Sequence, residues 1–254
     1  MKPLFHKKSV SWFANGGIVA AIAAASIAIL SGIGARLGWW HFGIGFSLLH
    51  WSVYIAIAAA VTSLFGIIVA RPATEKQGLY RAIVGLAIAA PIIVIPLLWK
   101  QVAQEVPAIH DITTDTENPP PFVAIVPLRQ DAPNTLEYGG TVIADLQKQA
   151  YPDIQPLVVT MAPVEVFDAA VATARDLGWE IVAMEKDDYR IEATDTTFWY
   201  GFKDDVVIRI TPQNDGSKVD VRSVSRVGKS DVGTNAERIR GFLTKLQARL
   251  GEQG

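Results

Sequence analysis

The sequence has no cysteine. That excludes disulfides, thiolate chemistry and cysteine-held metals, and it is compatible with either side of a membrane. Histidine is scarce, with four residues at positions 6, 41, 50 and 110. None lies in the packed part of the C-terminal domain, so a serine–histidine–acid hydrolase or a histidine-bound zinc site is not expected there. Acidic residues are also missing from one region: the first 100 positions hold Glu75 alone against eight Lys and Arg, whereas positions 101–254 hold 24 acidic and 15 basic residues. An acidic C-terminal part repels phosphate backbones, so no nucleic acid is expected as a partner. No cofactor and no metal is expected either.

What is present in the basic part is three long apolar runs, about 16–35, 43–70 and 82–99, each near the roughly 20 residues that cross a bilayer. Ala21-Ile22-Ala23 resembles a signal-peptide cleavage site, but the apolar run continues past it and two more follow, so a span is the reading taken. Pro91 and Pro96 interrupt the third run. Lys2, Lys7, Lys8, Arg71, Lys76 and Arg81 flank one side of the spans, and Arg36 and Lys100 the other. The excess predicts a multi-pass membrane protein with its N-terminus cytoplasmic and its C-terminal domain extracytoplasmic; in a Gram-negative bacterium that is the bacterial inner (plasma) membrane with a periplasmic domain. Small residues recur every fourth position, at Gly16, Ala20, Ala24, Ala28 and Gly32 and at Ala58, Thr62, Gly66 and Ala70. Such ridges pack the three helices on one another or, facing outward, join copies. His50 is the one ionisable group well inside a run, near one end of it, where an interfacial hydrogen bond is favoured over a proton relay.

Residues 101–157 read as a polar, proline-interrupted connection lying along the domain, with Pro119-Pro120-Pro121 favouring extended geometry. Asp111, Asp115 and Glu117 lack the glycine turn and spacing of a calcium loop. Residues 158–254 read as an α+β domain, in the order helix, four-stranded antiparallel sheet, helix, with both helices on one sheet face and the other face wet. Pro163 opens the first helix, and Gly178 closes it. The strongest signal is Asp204–Ser225: Val206, Ile208 and Ile210 alternate, Asn214-Asp215-Gly216 turns, and Val219, Val221, Ser223 and Ser225 alternate back. Across that hairpin Arg209 is expected opposite Asp220. Thr234 and Glu237 fit a capping box for the last helix.

Gly228-Lys229-Ser230 ends like a phosphate-binding loop, but Ser223 stands where glycine is required. Ser225 and Lys229 are four apart, not the three of the penicillin-binding pattern. The stretch from Arg222 to Arg249 nevertheless carries seven basic residues against Asp231 and Glu237, inside an acidic domain. The candidate ligand-binding residues are Arg209, Arg222, Ser225, Arg226, Lys229, Ser230, Asn235 and Arg238, with Asp204, Asp205 and Asp231 as acidic candidates. An anion at the N-terminus of the last helix, countered by Arg222 or Arg226, is one reading. The rival is that Asp231, or Asp204 and Asp205, fills that role from within the domain.

Asp111-Ile112-Thr113-Thr114-Asp115 with the following prolines, Arg190-Ile191-Glu192-Ala193, Asp204–Arg209 and Val221–Gly228 with Asp231, Gly233, Asn235 and Arg238-Ile239 together resemble domain of unknown function family 1499. The resemblance covers about 109–250, and the three-span anchor is similar to that of some bacterial members. It implies company for the fold and no reaction. The function expected is a membrane-anchored, non-catalytic binding or scaffold protein of the cell envelope. Its partners are the lipid bilayer and an anionic small molecule, lipid headgroup or envelope protein. The alternative is a histidine-free enzyme using Asp204, Asp205, Ser225 and Asp231.

Overall fold

The computed structural model describes residues 9–71 and 76–251; Lys2, Lys7, Lys8 and Glu75 lie outside the described residues. The chain forms two compact units, one of residues 1–101 with 199–201 and one of residues 102–198 with 202–254.

In the first unit, α1 (Trp12–Arg36), α2 (Phe42–Val69) and α3 (Leu79–Glu105) are each long and apolar enough to cross a membrane. α2 matches its apolar run, whereas α1 and α3 extend beyond theirs, α3 passing Lys100, because a helix continues into the polar flank until a capping or breaking signal stops it. They meet on an alanine seam of Ala21, Ala24, Ala56, Ala59 and Ala89. A Cβ at Gly66 would lie 2.9 Å from the backbone of Ala14, and one at Gly85 would lie 2.6 Å from Ser63 Oγ. Close approach of the helices therefore depends on small residues. The buried ridges are Ala14, Gly17, Ala21 and Ala24 in α1 and Ala56, Ala59, Ser63 and Gly66 in α2. They depart from the fourfold spacing read in the sequence because one face of an α-helix, at 3.6 residues per turn, returns at alternate steps of three and four.

The second unit is an antiparallel six-stranded sheet with helices. Its elements are β1 (Asp111–Thr113), α4 (Gly140–Ala150), β2 (Leu157–Val159), α5 (Pro163–Asp176), β3 (Glu180–Glu185), β4 (Arg190–Thr196), β5 (Lys203–Gln213), β6 (Gly216–Ser225) and α6 (Thr234–Gly251). The strand order is β1-β6-β5-β4-β3, with β2 also paired to β6. The expected four-strand count is therefore corrected to six. One added strand, Asp111–Thr113, comes from the proline-interrupted stretch and pairs with Arg222–Val224; the other, Leu157–Val159, lies across its end and pairs with Ser217–Val219.

The hairpin is as expected. Asp204 pairs with Ser225, Arg209 with Asp220, and Gln213 with Gly216, whose φ of 151° suits glycine alone. Val206, Ile208, Ile210, Val219 and Val221 point to one face and pack on Phe167 of α5 and on Ile239, Phe242 and Leu246 of α6. Val164 is exposed and Val166 is buried, which turns the α5 face slightly from the one read in the sequence. The opposite face is covered, not wet. Phe122 and Ile125 lie over Val207 and Val224, and residues 114–138 run across the sheet as a strap that includes a short 3-10 turn at Val126–Arg129. A six-stranded sheet with apolar Val207 and Val224 on its second face needs that cover to keep them from water.

Candidate functional site

The polar signature lies where the strap and the start of α6 meet β5 and β6, and its charges are arranged in closed groups. Arg222 on β6 makes a fork to Asp111 on β1, with Nε 2.9 Å from Oδ1 and Nη2 2.7 Å from Oδ2. The same guanidinium donates to the carbonyls of Pro120 (3.3 Å) and Leu136 (2.8 Å), and it lies between the rings of Phe122 and Tyr138 at 5.4 and 5.5 Å. One side chain thus ties two strands to both ends of the strap. Burial and the neighbouring Asp111 carboxylate push the Tyr138 hydroxyl up to about 12.

Asp205 on β5 is fully buried and serves two arginines. Arg129 from the 3-10 turn donates at 2.7 Å, and Arg226 donates from Nε and Nη2 at 2.9 Å each. Thr194 Oγ1 adds a bond at 2.7 Å. Burial alone would raise this carboxyl, but the bonds from Arg226, Thr194 and Arg129 outweigh it and hold the acid below its ordinary range. Glu192, also fully buried, accepts the backbone N–H groups of Val123, Ala124 and Ile125 at 2.9, 3.1 and 2.9 Å. Those are unpaired donors at the entry of the 3-10 turn, where a carboxylate is favoured.

Asn235 forms the third group. Its Oδ1 accepts from Ser223 Oγ (2.6 Å) and from Arg238, while its Nδ2 donates to Ser225 Oγ (2.9 Å) and His110 O (3.0 Å). Arg238 continues to Asp195 at 2.8 Å and to Asp204 at 2.6 Å. Asp231 caps α6, accepting from the N–H of Gly233 (2.9 Å) and Asn235 (2.8 Å). The expected capping box is thereby corrected: Asp231 holds the N-terminal donors, and Glu237 reaches forward to Arg240 instead. Burial raises the Asp231 carboxyl in spite of those two bonds. Arg209 meets Asp220 at 2.8 Å as the hairpin register predicts, and Asp115 from the strap joins them, held by Lys218 at 2.9 Å.

The structure therefore places the sequence candidates in three roles. Arg209, Arg222, Arg226 and Arg238 are engaged by Asp220, Asp111, Asp205 and Asp204. Ser225, Asn235, Asp204, Asp205 and Asp231 are polar groups consumed inside the domain. Lys229 is exposed, and Ser230 Oγ accepts from the N–H of Val232. The sequence reading missed Arg129, Asn134, Glu192 and Asp195 as members of the network. Lys229 borders a cavity of about 520 Å³, together with His110, Asn134, Thr135, Glu137 and Ile143. Asn134 is fixed there by bonds from its Nδ2 to the carbonyls of Ser225 (3.0 Å) and Gly228 (2.8 Å).

The acid limb of stability follows from these groups. Asp205 has a depressed folded-state value, as does Asp115, where bonds from Asn118 N–H and Lys218 outweigh burial. Each contributes stability that is present above the unfolded value of about 4 and is lost as pH falls through the folded one. Asp231 has the opposite sign, since its raised value penalises the folded state as pH rises through it. The full chain in detergent is expected to melt several degrees lower at about pH 3 than at about pH 6. Asp205→Asn should flatten that difference, and equal melting temperatures at both pH values would contradict the assignment.

Three candidate spans and an α+β domain whose sheet carries closed ion-pair groups on both faces define a membrane-protein class with a strapped six-stranded domain. Residues 111–246 match the family described as Protein of unknown function (DUF1499), and the chain belongs to that family. No curated protein matches the chain.

Proposed function

We propose that the protein is a membrane-anchored, non-catalytic binding module of the cell envelope, taking an anionic group in the cavity beside Lys229 and His110. The observation that carries this reading is the division of the basic residues. The arginines of the signature are neutralised by internal carboxylates, whereas Lys229 stands exposed on a cavity whose volume suits a small ligand. The imidazole of His110, which sequence reading set aside as lying outside the packed part, borders the same space. The enzyme alternative has less support. Ser225 Oγ is bonded to Asn235, Asp204 is paired with Arg238, Asp205 is bonded by Arg129 and Arg226, and Asp231 caps α6, so each of these groups already has a partner inside the domain.

Native mass spectrometry of the full chain released from its own membrane tests the binding reading. An anionic adduct is expected on the wild type and should be lost in Lys229→Glu, whose exposed side chain leaves the fold intact. An unmodified mass, or an adduct unaffected by the substitution, would contradict it.

The placement proposed is the bacterial inner membrane, multi-pass, with a cytoplasmic N-terminus and an extracytoplasmic C-terminal domain. It rests on the basic residues around the spans. A reporter active only outside the cytoplasm, fused after Gly254, is expected to be active. Activity of a cytoplasm-only reporter at the same site would reverse the orientation.

A further inference from the structure

The cavity beside Lys229 and His110 has walls of two kinds. Ile109 from the core, Ile143 packed against that core, and Pro133 give it apolar surface. Its ionic lining carries both signs, with Lys229 set against Asp111 and Glu137. Asp111 is already engaged by Arg222. Glu137 and Lys229 are not engaged: both are exposed, and neither side chain has a hydrogen bond or ion pair among the described residues. Lys229 contributes only its carbonyl, which lies 3.4 Å from His110 Nδ1. Asn134, on the same lining, spends its Nδ2 on the carbonyls of Ser225 and Gly228, so its Oδ1 remains as an acceptor. A sphere of about 520 Å³ is about 10 Å across, so a charge at its centre lies within the roughly 8 Å screening length of both ions.

The inference drawn from this lining rests on the binding reading above and narrows its ligand. A bare anion beside Lys229 also meets the Glu137 carboxylate, which repels it, and a bare cation meets the reverse. A molecule with both signs satisfies both ions. We propose that the cavity takes a zwitterion on an apolar stem, with a phosphate or carboxylate toward Lys229, an ammonium toward Glu137, and the stem along Ile109, Ile143 and Pro133. Lysine has no acceptor and an ionised carboxylate has no donor, so neither residue can serve the other's half of the ligand. The amine-bearing headgroup of a phospholipid and a soluble zwitterion share this chemistry. The apolar wall separates them, since the lipid brings a stem that covers it.

Isothermal titration of the full chain in non-ionic detergent tests this with three probes: dihexanoyl-phosphatidylethanolamine, dihexanoyl-phosphatidylglycerol and glycerophosphoethanolamine. The two lipids share stem and phosphate and differ in the amine, whereas the first and third probes share the head and differ in the stem. The wild type is expected to bind the ethanolamine lipid several-fold more tightly than either of the others. Glu137→Gln should bring that lipid down to the level of the glycerol lipid, and Lys229→Met should weaken both lipids. Both positions are exposed, so unchanged melting of the two variants is expected alongside. Equal binding of the two lipids by the wild type, or a preference that survives Glu137→Gln, would overturn the zwitterion and leave the anion reading standing. Equal binding of glycerophosphoethanolamine would overturn the apolar stem and place the source in solution. Binding of none of the three, or lipid binding indifferent to Lys229→Met, would remove the anion reading itself and this inference with it.

Discussion

Asp205→Ala is expected to destabilise the C-terminal domain by about 3–5 kcal/mol, the cost of leaving buried charge without its partner. The carboxylate is fully buried and is bonded by Arg129, Arg226 and Thr194. The Arg129 side chain is only 4 % exposed, so it cannot turn to water when the carboxylate is removed. Arg226 is more open at 16 % and keeps its bond to the carbonyl of Leu128. Most of the loss therefore falls on Arg129 and on the 3-10 turn that carries it. Against a domain stability of about 5–15 kcal/mol, a loss of this size removes about a fifth or more. Denaturant unfolding of the purified full chain would register it as a lower midpoint. Asp205→Asn, which keeps the shape and discards the charge, should fall between the two. A midpoint unchanged in Asp205→Ala would contradict this account of the site.

Arg222→Ala is expected to act on a different set of elements with a similar magnitude, about 3–5 kcal/mol. Its side chain is 4 % exposed and that of Asp111 is 8 %. The substitution strands Asp111, frees the carbonyls of Pro120 and Leu136, and empties the space between Phe122 and Tyr138. Arg222→Lys should recover little, because one ammonium cannot reproduce the fork or the stacking between two rings. The expected signature is local as well as global. Amide exchange should quicken in β1 and across the strap before it does in β5, where the ladders to β4 and β6 remain on both sides. Arg222→Lys with wild-type stability would show that charge alone suffices and that the fork is incidental.

These two clamps mark the limit of what the sequence carried. The β5–β6 hairpin was legible because alternation of period two and an Asn-Asp-Gly turn are local signals, and the Arg209–Asp220 pair followed from its register. The three apolar helices and the two helices on one sheet face were legible from periodicity for the same reason. The strap was not. β1 and β2 have three residues each, too few to display a period, and Pro119-Pro120-Pro121 suggests an extended spacer whether or not a sheet lies beneath it. Its attachment depends on pairs far apart in the chain, Asp111 with Arg222 and Arg129 with Asp205. No local pattern announces such pairs. The cluster of basic residues from Arg222 onward was visible, but its meaning was not, since the carboxylates that neutralise Arg222, Arg226 and Arg238 come from β1, β4 and β5. Glu192 gave no warning of its hold on the strap because, beside its pair with Arg190, it binds there to backbone N–H groups, which leave no trace in composition.

The central claim is that the arginine signature closes the strap over the sheet. A double-mutant cycle on Asp111 and Arg222 tests it most directly, using denaturant unfolding of the full chain with Asp111→Ala, Arg222→Ala and both together. Residues in one buried pair couple by about 0.5–3 kcal/mol, and the upper part of that range is expected here. Each single variant should be strongly destabilised, and the double variant should be little worse than the poorer single. Small, additive costs with an unchanged midpoint would contradict the claim and return Arg222 to the role of a ligand-binding residue.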